Sequence, residues 1–358
     1  GPIDSSGNVT SWTQDTDSAL PHARTGHKAV AYNGYMYVIG GCNAYTNYGS
    51  PYFNNCTPGT NKNHDAGLGG AWMRSVAYAQ INSDGSLGAW TTDTDYFTNA
   101  REWHSAGVYN GRLYIAGGRI DSHPGTANAV NDVQCAPLLT DGSIGTWTTD
   151  GGTSFTTDRM YTEMSIYNGY MYILGGYNEE SFTYLDDVQY APINEDGSIG
   201  TWATTNNFSD TRGGHKVTNH RGYLYMVGGY DGATKTDLQY APINSNGSIG
   251  LWASTTTVSS RDNVGLHAWG DYLIWLSGDY VTNYCEKSQL DINGTLRSVS
   301  SAWPTTNTTS TFRNLAPVVA HNGYMYQVGG GNTSAVPQSS GDRVAINADG
   351  TLGTWSTT

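Results

Sequence analysis

The chain has 358 residues, a formal net charge of −13 and only 13% charged residues. The excess of acidic groups and the lack of a Lys/Arg block argue against a nucleic-acid partner, because such binders neutralise phosphates with basic side chains. No apolar run approaches the ~20 residues of a membrane helix, so we predict no membrane insertion. Abundant Gly, Thr, Ser, Asn and Tyr with few helix formers favour strands and turns.

A short string that ends in tryptophan recurs along the chain. Its first full copy reads Asp84-Gly-Ser-Leu-Gly-Ala-Trp90. Further copies end at Trp147, Trp202, Trp252 and Trp355, and weaker copies end at Trp12 and Trp303. Successive tryptophans lie 78, 57, 55, 50, 51 and 52 residues apart. A fixed period of this length indicates a repeat architecture.

Each repeat is predicted to form four short strands, a to d. Strand a, such as Lys28–Tyr32, ends at an Asn-Gly pair, which favours a type I′ hairpin turn. Strand b follows and ends in a Gly-Gly pair, as at Gly40-Gly41. Strand c carries the string Asp187-Val-Gln-Tyr-Ala-Pro, and an Asp-Gly turn leads into strand d with its Trp. Four antiparallel strands at this period are typical of a β-propeller blade.

The repeat resembles that of the kelch-repeat propellers. The residues that carry the resemblance are Gly40-Gly41 and its counterparts, the strand-c aromatics Tyr190 and Tyr240, and the downstream tryptophans. Six copies of strands a, b and c predict an all-β, six-bladed kelch-like β-propeller with four antiparallel strands per blade and terminal strands that close the ring. Kelch-type galactose oxidases are similar, but no matching set of copper ligands is present, so their activity is not carried over.

The predicted organisation is one domain that spans residues 1–358. The blades are placed at about 24–92, 101–149, 159–204, 212–254, 261–305 and 313–357. A long insertion, 42–72, belongs to blade 1, and an extra copy of strand d lies at 3–13. The extra copy either joins the last blade to close the ring or belongs to a longer repeat array.

Binding is predicted on one face of the propeller. The a–b and c–d connections are two-residue turns, whereas the b–c and d–a connections are long and lie together on the other face, here called the loop face. Ten tyrosines fall in those long connections. Tyr and Trp offer rigid contact area for sugars and proteins, although loop aromatics can also simply cover their own loops. The aromatic residues predicted to bind ligand are Trp103, Tyr161, Tyr177, Tyr184, Tyr230 and Tyr280.

An arginine precedes strand a in every repeat. Six guanidinium groups around a channel mouth would bind a carboxylate or an anionic sugar through paired hydrogen bonds. The alternative is structural, with each arginine bonded to carbonyls of the neighbouring blade or to a loop aspartate. The six residues are Arg24, Arg101, Arg159, Arg212, Arg261 and Arg313.

Histidines and cysteines suggest two further features. His27, His104 and His215 each follow an arginine by three residues, but their spacing around a ring argues against a shared metal, whose ligands must lie within ~2.1 Å of one ion. No cofactor is predicted, and a structural cation in the channel is left open. A disulfide between Cys42 and Cys56 would close the insertion and would require an oxidising compartment. Cys135 and Cys285 are predicted to be free and buried.

The sequence therefore favours a monomeric, non-catalytic, secreted or cell-surface module that binds a glycan or a protein on the loop face, like a lectin or an adhesin. It holds no Walker-type phosphate loop, nucleophile elbow or His-Glu-x-x-His motif. One alternative is an enzyme that acts on a carbohydrate or sugar acid at the channel mouth, with the arginine ring and a loop acid. Another alternative is a structural repeat segment of a longer surface protein without a ligand of its own.

Overall fold

The computed structural model describes residues 19–43, 45–47, 54–56, 72–120, 128–149, 154–255, 265–276, 285–296, 316–331, 336–347, 352 and 356–357. Every regular element in these ranges is a β-strand. In these same ranges we find no helix with the length and apolarity to cross a membrane. The strands form six antiparallel sheets that follow one another along the chain, with two additional two-stranded pairs.

The first three sheets are blades 1 to 3. Blade 1 contains β1 (Lys28–Tyr32), β2 (Tyr35–Ile39), β5 (Val76–Gln80) and β6 (Thr91–Thr92), and its insertion contains the paired strands β3 (Tyr45–Asn47) and β4 (Asn54–Cys56). Blade 2 contains β8 (Ser105–Tyr109), β9 (Arg112–Ala116), β11 (Val133–Pro137) and β12 (Thr148–Thr149), and β7 (Arg101–Glu102) pairs with β10 (Arg119–Ile120) beside it. Blade 3 contains β13 (Glu163–Tyr167), β14 (Tyr170–Asn178), β15 (Thr183–Pro192) and β16 (Ala203–Thr204).

The last three sheets are blades 4 to 6. Blade 4 contains β17 (Lys216–His220), β18 (Tyr223–Val227), β19 (Leu238–Pro242) and β20 (Ala253–Thr255). Blade 5 contains β21 (Gly265–Trp269), β22 (Tyr272–Leu276) and β23 (Cys285–Gln289). Blade 6 contains β24 (Val318–His321), β25 (Tyr324–Val328), β26 (Gly341–Ala345) and β27 (Ser356–Thr357). The predicted all-β, six-bladed architecture is confirmed, with four described strands in every blade except blade 5, where three are described.

The turns between strands a and b have the geometry that the Asn-Gly pairs predict. Asn33 and Gly34 both have positive φ, 47° and 80°, and Asn110 and Gly111 repeat this at 45° and 72°. A type I′ turn needs positive φ at both central residues, and Asn and Gly tolerate it better than other residues. The pairs therefore fix the register of strands a and b, with Tyr32 opposite Tyr35 in blade 1.

The ring closes between blade 6 and blade 1 through the same contacts that join consecutive blades. Within the ring, the second glycine of a Gly-Gly pair donates its N–H to the carbonyl of the next blade's arginine, and at the closure Gly330 donates to Arg24 at 3.0 Å. Likewise the Tyr326 hydroxyl donates to the Gly85 carbonyl at 3.0 Å, as Tyr114 does to Gly197. Strand β27 completes blade 6. The extra copy at 3–13 lies outside the described residues.

Apolar side chains pack between neighbouring blades. Between blades 1 and 2, Tyr37, Ile39, Leu113 and Ile115 are almost fully buried in one cluster. Each such aliphatic side chain contributes about 1.5–3 kcal/mol when buried. Trp147 packs edge-on against Phe97 of the same cluster, at 5.4 Å between ring centroids. The signature tryptophan thus fixes the connection that enters its blade.

Candidate functional site

The arginines before strand a lie inside the blades. Arg159 is fully buried, and its Nη1 and Nη2 atoms donate to the two carboxylate oxygens of Asp187 at 2.7 and 2.9 Å. Its Nη1 also donates to the Gly175 carbonyl at 3.0 Å. The same pattern recurs for Arg101 with Asp132 and for Arg212 with Asp237, and Arg24 is equally buried and donates to the Gly40 carbonyl.

These positions favour the structural alternative over the predicted ligand-binding role for Arg24, Arg101, Arg159 and Arg212. Each guanidinium group is buried and donates to a carbonyl of its own blade. In blades 2 to 4 the arrangement matches the loop-aspartate alternative. Arg261 and Arg313 lie outside the described residues.

A glutamine extends each arginine–aspartate pair. Gln189 donates to Asp187 Oδ2 at 2.7 Å and accepts from the Thr156 N–H at 2.9 Å, which ties strand c to the loop that enters the blade. Burial raises the pKa of Asp187, but hydrogen bonds and charge from Arg159, with help from Gln189, outweigh burial, and the net pKa is lowered. The Arg159 guanidinium also lies over the Phe155 ring, at 5.4 Å from its centroid. These residues form a structural hydrogen-bond network rather than a ligand site.

The three histidines lie at separate blade interfaces. A Cβ placed on Gly40 would come within 3.0 Å of His104 Cε1, and one on Gly175 would come equally close to His215 Cε1. His27 occupies the corresponding place against blade 6, where its Nε2 lies 2.9 Å from the Val328 carbonyl oxygen. Within the described ranges no three His, Cys, Asp or Glu side chains group closely enough to hold a metal ion. The first glycine at the end of strand b is required because a Cβ at Gly40, Gly117 or Gly175 would lie 2.8 Å from the carbonyl oxygen of the next blade's arginine.

Four residues from blades 1 to 4 line the entrance of a pocket, and we call them the channel mouth: Gly26, Trp103, Tyr161 and Gly214, each two residues after an arginine. Backbone hydrogen bonds link them, from Trp103 N to Gly26 O at 2.8 Å, from Tyr161 N to Trp103 O at 3.0 Å and from Gly214 N to Tyr161 O at 2.9 Å. Their φ angles are 65°, 55°, 55° and 68° in chain order. Glycine adopts this conformation freely, whereas for Trp and Tyr it costs about 1–2 kcal/mol.

Trp103 and Tyr161 stack on each other at the channel mouth. Their ring centroids are 4.4 Å apart, and their planes are inclined by 24°. Trp103 is buried and Tyr161 is half-buried, so Tyr161 forms the solvent side of the stack. The buried Trp103 indole N–H has no hydrogen-bond acceptor among the described residues. Blades 2 and 3 therefore replace the glycine of blades 1 and 4 with a paired aromatic surface.

Below the stack, a small pocket opens into the channel. Its floor holds Lys28, Glu163 and Lys216, which are the first residues of strand a in blades 1, 3 and 4, and Ala316 and Pro317 of blade 6 form an apolar wall. Both lysine Nζ atoms lie 2.5 Å from Glu163 Oε1. Two ammonium groups thus share one carboxylate, which leaves a net positive charge in the pocket.

Burial and neighbouring charge shift the pKa values of this group. Burial raises the pKa of Glu163, but Lys216 and Lys28 outweigh it and hold the pKa at about 2. For Lys28, burial and the charge of Lys216 outweigh the attraction of Glu163 and lower the pKa to about 8. The carboxylate is therefore ionised at neutral pH, and Lys28 loses its proton more readily than an ordinary lysine.

Comparison with known proteins agrees with this geometry. A sequence model described as the Kelch motif matches residues 23–55. The structure is similar to the solved structure of YjhT, with a TM-score of 0.68 and 12% sequence identity over 95% of this chain and 99% of that chain. The chain therefore has the fold of a six-bladed β-propeller, and one stretch of it matches the Kelch motif. A search of curated proteins finds no match, whereas 581 solved chains match the structure. Since so common a fold hosts many activities, function must be argued from the site.

The remaining predicted tyrosines of the propeller form a second cluster beside the channel mouth. Tyr177 and Tyr184 lie 4.8 Å apart, and Tyr184 and Tyr230 lie 6.0 Å apart, between ring centroids. Gly213 joins the two clusters, because a Cβ on it would lie 3.2 Å from Tyr161 Cβ and 3.4 Å from Tyr184 Cε1. An aromatic row thus runs across blades 2 to 4. Tyr280 lies outside the described residues.

The cysteines of the propeller are described only in part. Cys135 has a free thiol and is buried, as predicted. Cys42 is also buried, while the side chains of Cys56 and Cys285 lie outside the described residues. The Cys42–Cys56 disulfide therefore stays a prediction.

Sequence reasoning missed the three charged residues in the pocket of the propeller. Their signal is positional, since Lys28, Glu163 and Lys216 each stand four residues after the arginine that precedes strand a. The corresponding residue in blade 2 is Ser105, and in blade 6 it is Pro317. Aligning the repeats on the arginine would have shown that charge accumulates at this one position.

Proposed function

We propose that this propeller is a non-catalytic carbohydrate-binding module whose site is the channel mouth and the pocket below it. The observation that carries the proposal is the left-handed backbone of Trp103 and Tyr161, at positions where blades 1 and 4 have glycine. Such strain costs about 1–3 kcal/mol per residue, and it is concentrated at ligand sites, where surrounding structure enforces it. Nothing in the blade frame requires an aromatic residue at this position, because Gly26 and Gly214 occupy it without one.

The chemistry of the pocket fits the two sides of a sugar ring. The apolar C–H face of a pyranose packs on an aromatic ring, which Tyr161 supplies with Trp103 behind it. Sugar hydroxyls both donate and accept hydrogen bonds. A lysine ammonium group has three donors, and the bond to Glu163 uses one donor of each lysine, so donors remain for ligand hydroxyls. Glu163 offers acceptor capacity between them.

The aromatic row beyond the channel mouth supports a ligand longer than one sugar. Tyr161 and Tyr184 flank Gly213, and Tyr177 and Tyr230 continue the row outward. Successive sugars of an oligosaccharide present repeated apolar faces that such a row could contact. A protein ligand is the second kind of partner that a row of half-buried tyrosines suits.

The proposed location is the cell surface or the extracellular space. A disulfide between Cys42 and Cys56 would support it, because such bonds persist in oxidising compartments. Intact-mass measurement of the unreduced protein should show the loss of two hydrogens relative to the reduced protein. A mass equal to that of the reduced form would remove this support.

The test of the site is a glycan array followed by titration calorimetry on the best ligand. Trp103→Gly and Tyr161→Gly insert the residue that the repeat itself uses, so the backbone conformation is kept. We expect each change to weaken binding about tenfold or more, since loss of one stacked ring is worth roughly 1.5–3 kcal/mol.

The matched control is Phe182→Ala. Phe182 is also aromatic, also has positive φ and is 78% exposed at the tip of the β14–β15 hairpin on the loop face, away from the pocket. Its removal should leave binding unchanged. Absence of binding to every glycan, or equal loss from the control and the channel-mouth variants, would contradict the proposal.

A second candidate function is an enzyme that acts on a sugar acid. The observation that favours it is the unbalanced charge of Lys28, Glu163 and Lys216, which suits a ligand carboxylate. The buried arginines no longer contribute to this hypothesis. Turnover on a panel of sugar acids that disappears in Lys216→Met would favour it over simple binding.

A further inference from the structure

We propose that Lys28 is a nucleophilic amine that forms a reversible imine with a small aldehyde admitted through the channel mouth. The chain has five lysines, and two of them meet on one carboxylate inside the pocket. The proposal concerns covalent capture and does not depend on glycan binding.

The first step of the argument is charge balance. Lys28 and Lys216 share Oε1 of Glu163, and among the described residues that line the pocket Glu163 is the sole carboxylate. The residues at the position of Lys28 in the two adjacent blades are Ser105 and Pro317, which supply no charge. One of the two ammonium groups is therefore uncompensated in a largely buried site, and loss of its proton removes an unfavourable charge.

The other titratable groups nearby do not change this balance. Burial lowers the pKa of His27 and of His215 to about 3, and it lowers the pKa of His104 well below its ordinary value. These histidines are neutral at physiological pH. Arg24 lies inside blade 1, and its positive charge adds to the lowering of the His27 pKa.

The second step is reactivity. The neutral amine is the nucleophile, and burial together with the charge of Lys216 lowers the pKa of Lys28 to about 8. About one-tenth of Lys28 is then neutral at pH 7, against less than about one-thousandth of an ordinary lysine. A neighbouring cation in a desolvated pocket is an established way to activate a lysine for imine formation.

The third step is the chemistry. The neutral Lys28 nitrogen attacks the aldehyde carbon, and the carbonyl oxygen takes a proton from the Lys216 ammonium group or from water. The resulting carbinolamine expels water as the nitrogen forms its double bond to carbon. The sum is ammonium plus aldehyde giving iminium plus water, so charge is conserved. The iminium takes the place of the ammonium group beside Glu163, which stabilises it.

Lys235 is a matched internal control. Its side chain is 18% exposed against 16% for Lys28, but it has Asp231 as a partner at 2.7 Å, with no second lysine on that carboxylate among the described residues. The two lysine side chains have similar exposed fractions and differ in their charge partners. A difference in their reactivity would arise from the environment of the pocket, and the variant Lys216→Met tests how much of it the second lysine causes.

The test uses glycolaldehyde with limiting cyanoborohydride at pH 7, which reduces the iminium to a stable secondary amine. Peptide mass spectrometry then gives the rate of labelling at each lysine of the intact protein. We expect Lys28 to be labelled at least tenfold faster than Lys235 at pH 7, and the rate at Lys28 to level off above about pH 8. Equal rates at the two lysines in the wild-type protein would overturn the proposal.

The variant Lys216→Met tests whether the charge of Lys216, rather than access of the aldehyde to the pocket, makes Lys28 reactive. It removes the second cation while keeping a side chain of similar length, so the pKa of Lys28 should rise and the rate advantage of Lys28 should fall at least fivefold. Persistence of fast Lys28 labelling in this variant would overturn the charge argument. Glycan binding is measured on the same samples, so a failure of imine formation is distinguished from a failure of the proposed binding function.

Discussion

Equivalent positions of different blades carry the same residues in the blade interior but different residues at the channel mouth. Inside blades 2 to 4 the arginine, aspartate and glutamine recur with nearly the same distances, because every blade must tie strand c to its incoming loop. Two residues after the same arginine, the sequence changes from Gly26 and Gly214 to Trp103 and Tyr161 while the backbone stays the same. Residues that recur from blade to blade therefore serve folding. A residue that changes while the backbone conformation stays the same is a candidate for ligand binding.

The largest expected effect comes from breaking the repeated interior. Arg159→Met removes a fully buried guanidinium and leaves the half-buried Asp187 without its ion pair. Loss of one partner of such a pair costs about 3–5 kcal/mol, so the free energy of unfolding in urea should fall by that amount.

The comparison also predicts what this change leaves intact. Arg159→Met protein that remains folded should bind ligand with unchanged affinity, since the guanidinium does not reach the pocket. A loss of ligand affinity with little loss of stability would instead mean that Arg159 contributes to ligand binding. Arg159→Met combined with Asp187→Leu should recover part of the stability, because no unpaired carboxylate is then buried.

A smaller effect is expected at the blade interfaces, and it depends on pH. Burial lowers the pKa of His215 to about 3, so the folded protein excludes a proton that the unfolded chain binds below about pH 6.5. The stability that depends on neutral His215 is complete above pH 6.5 and is lost as the pH falls towards 3, by up to about 1.4 kcal/mol per pH unit.

His215→Thr tests this with the residue that blade 3 uses at the same position, Thr162. Urea unfolding at several pH values should show a shallower decline between pH 6.5 and 4 in the variant than in the wild type. The variant should also be less stable at pH 7, because it loses the packing of His215 on Phe208. An unchanged pH slope would mean that His215 is not held neutral.

The sequence predicts the strands and turns of the blades well, because these depend on residues that are close together in the chain. Asn33-Gly34 specifies its turn through two adjacent residues, and the recurring tryptophan marks the period directly. The inward orientation of the Arg159 side chain could not be predicted in this way, because it depends on Asp187, a partner 28 residues further along the chain. The meeting of Lys28 with Glu163 and Lys216 is harder still, because it depends on how far apart blades 1, 3 and 4 lie across the ring.

The smallest expected effect concerns a third departure from the repeat, on the face opposite the loop face. Arg221 stands in the a–b turn of blade 4 with a φ of 49°, where blades 1, 2, 3 and 6 have asparagine. Asparagine tolerates this conformation better, so Arg221→Asn should stabilise the turn by about 0.5–1 kcal/mol. Arg221 also pairs with the exposed Asp271, and a surface pair of this kind contributes about 0–1 kcal/mol.

The two contributions nearly cancel, so Arg221→Asn alone should change the free energy of unfolding by less than about 0.5 kcal/mol. In an Asp271→Asn background the ion pair is already gone, and the same change should stabilise the protein by about 0.5–1 kcal/mol. Neither variant should alter ligand binding, because Arg221 lies on the face opposite the loop face. Its backbone strain is offset by the local ion pair and not by a ligand. At Tyr161, replacement by glycine should relieve the strain of the left-handed backbone and abolish binding together. If Arg221→Asn weakened binding as well, a loss of binding on relief of positive φ would not be specific to the channel mouth.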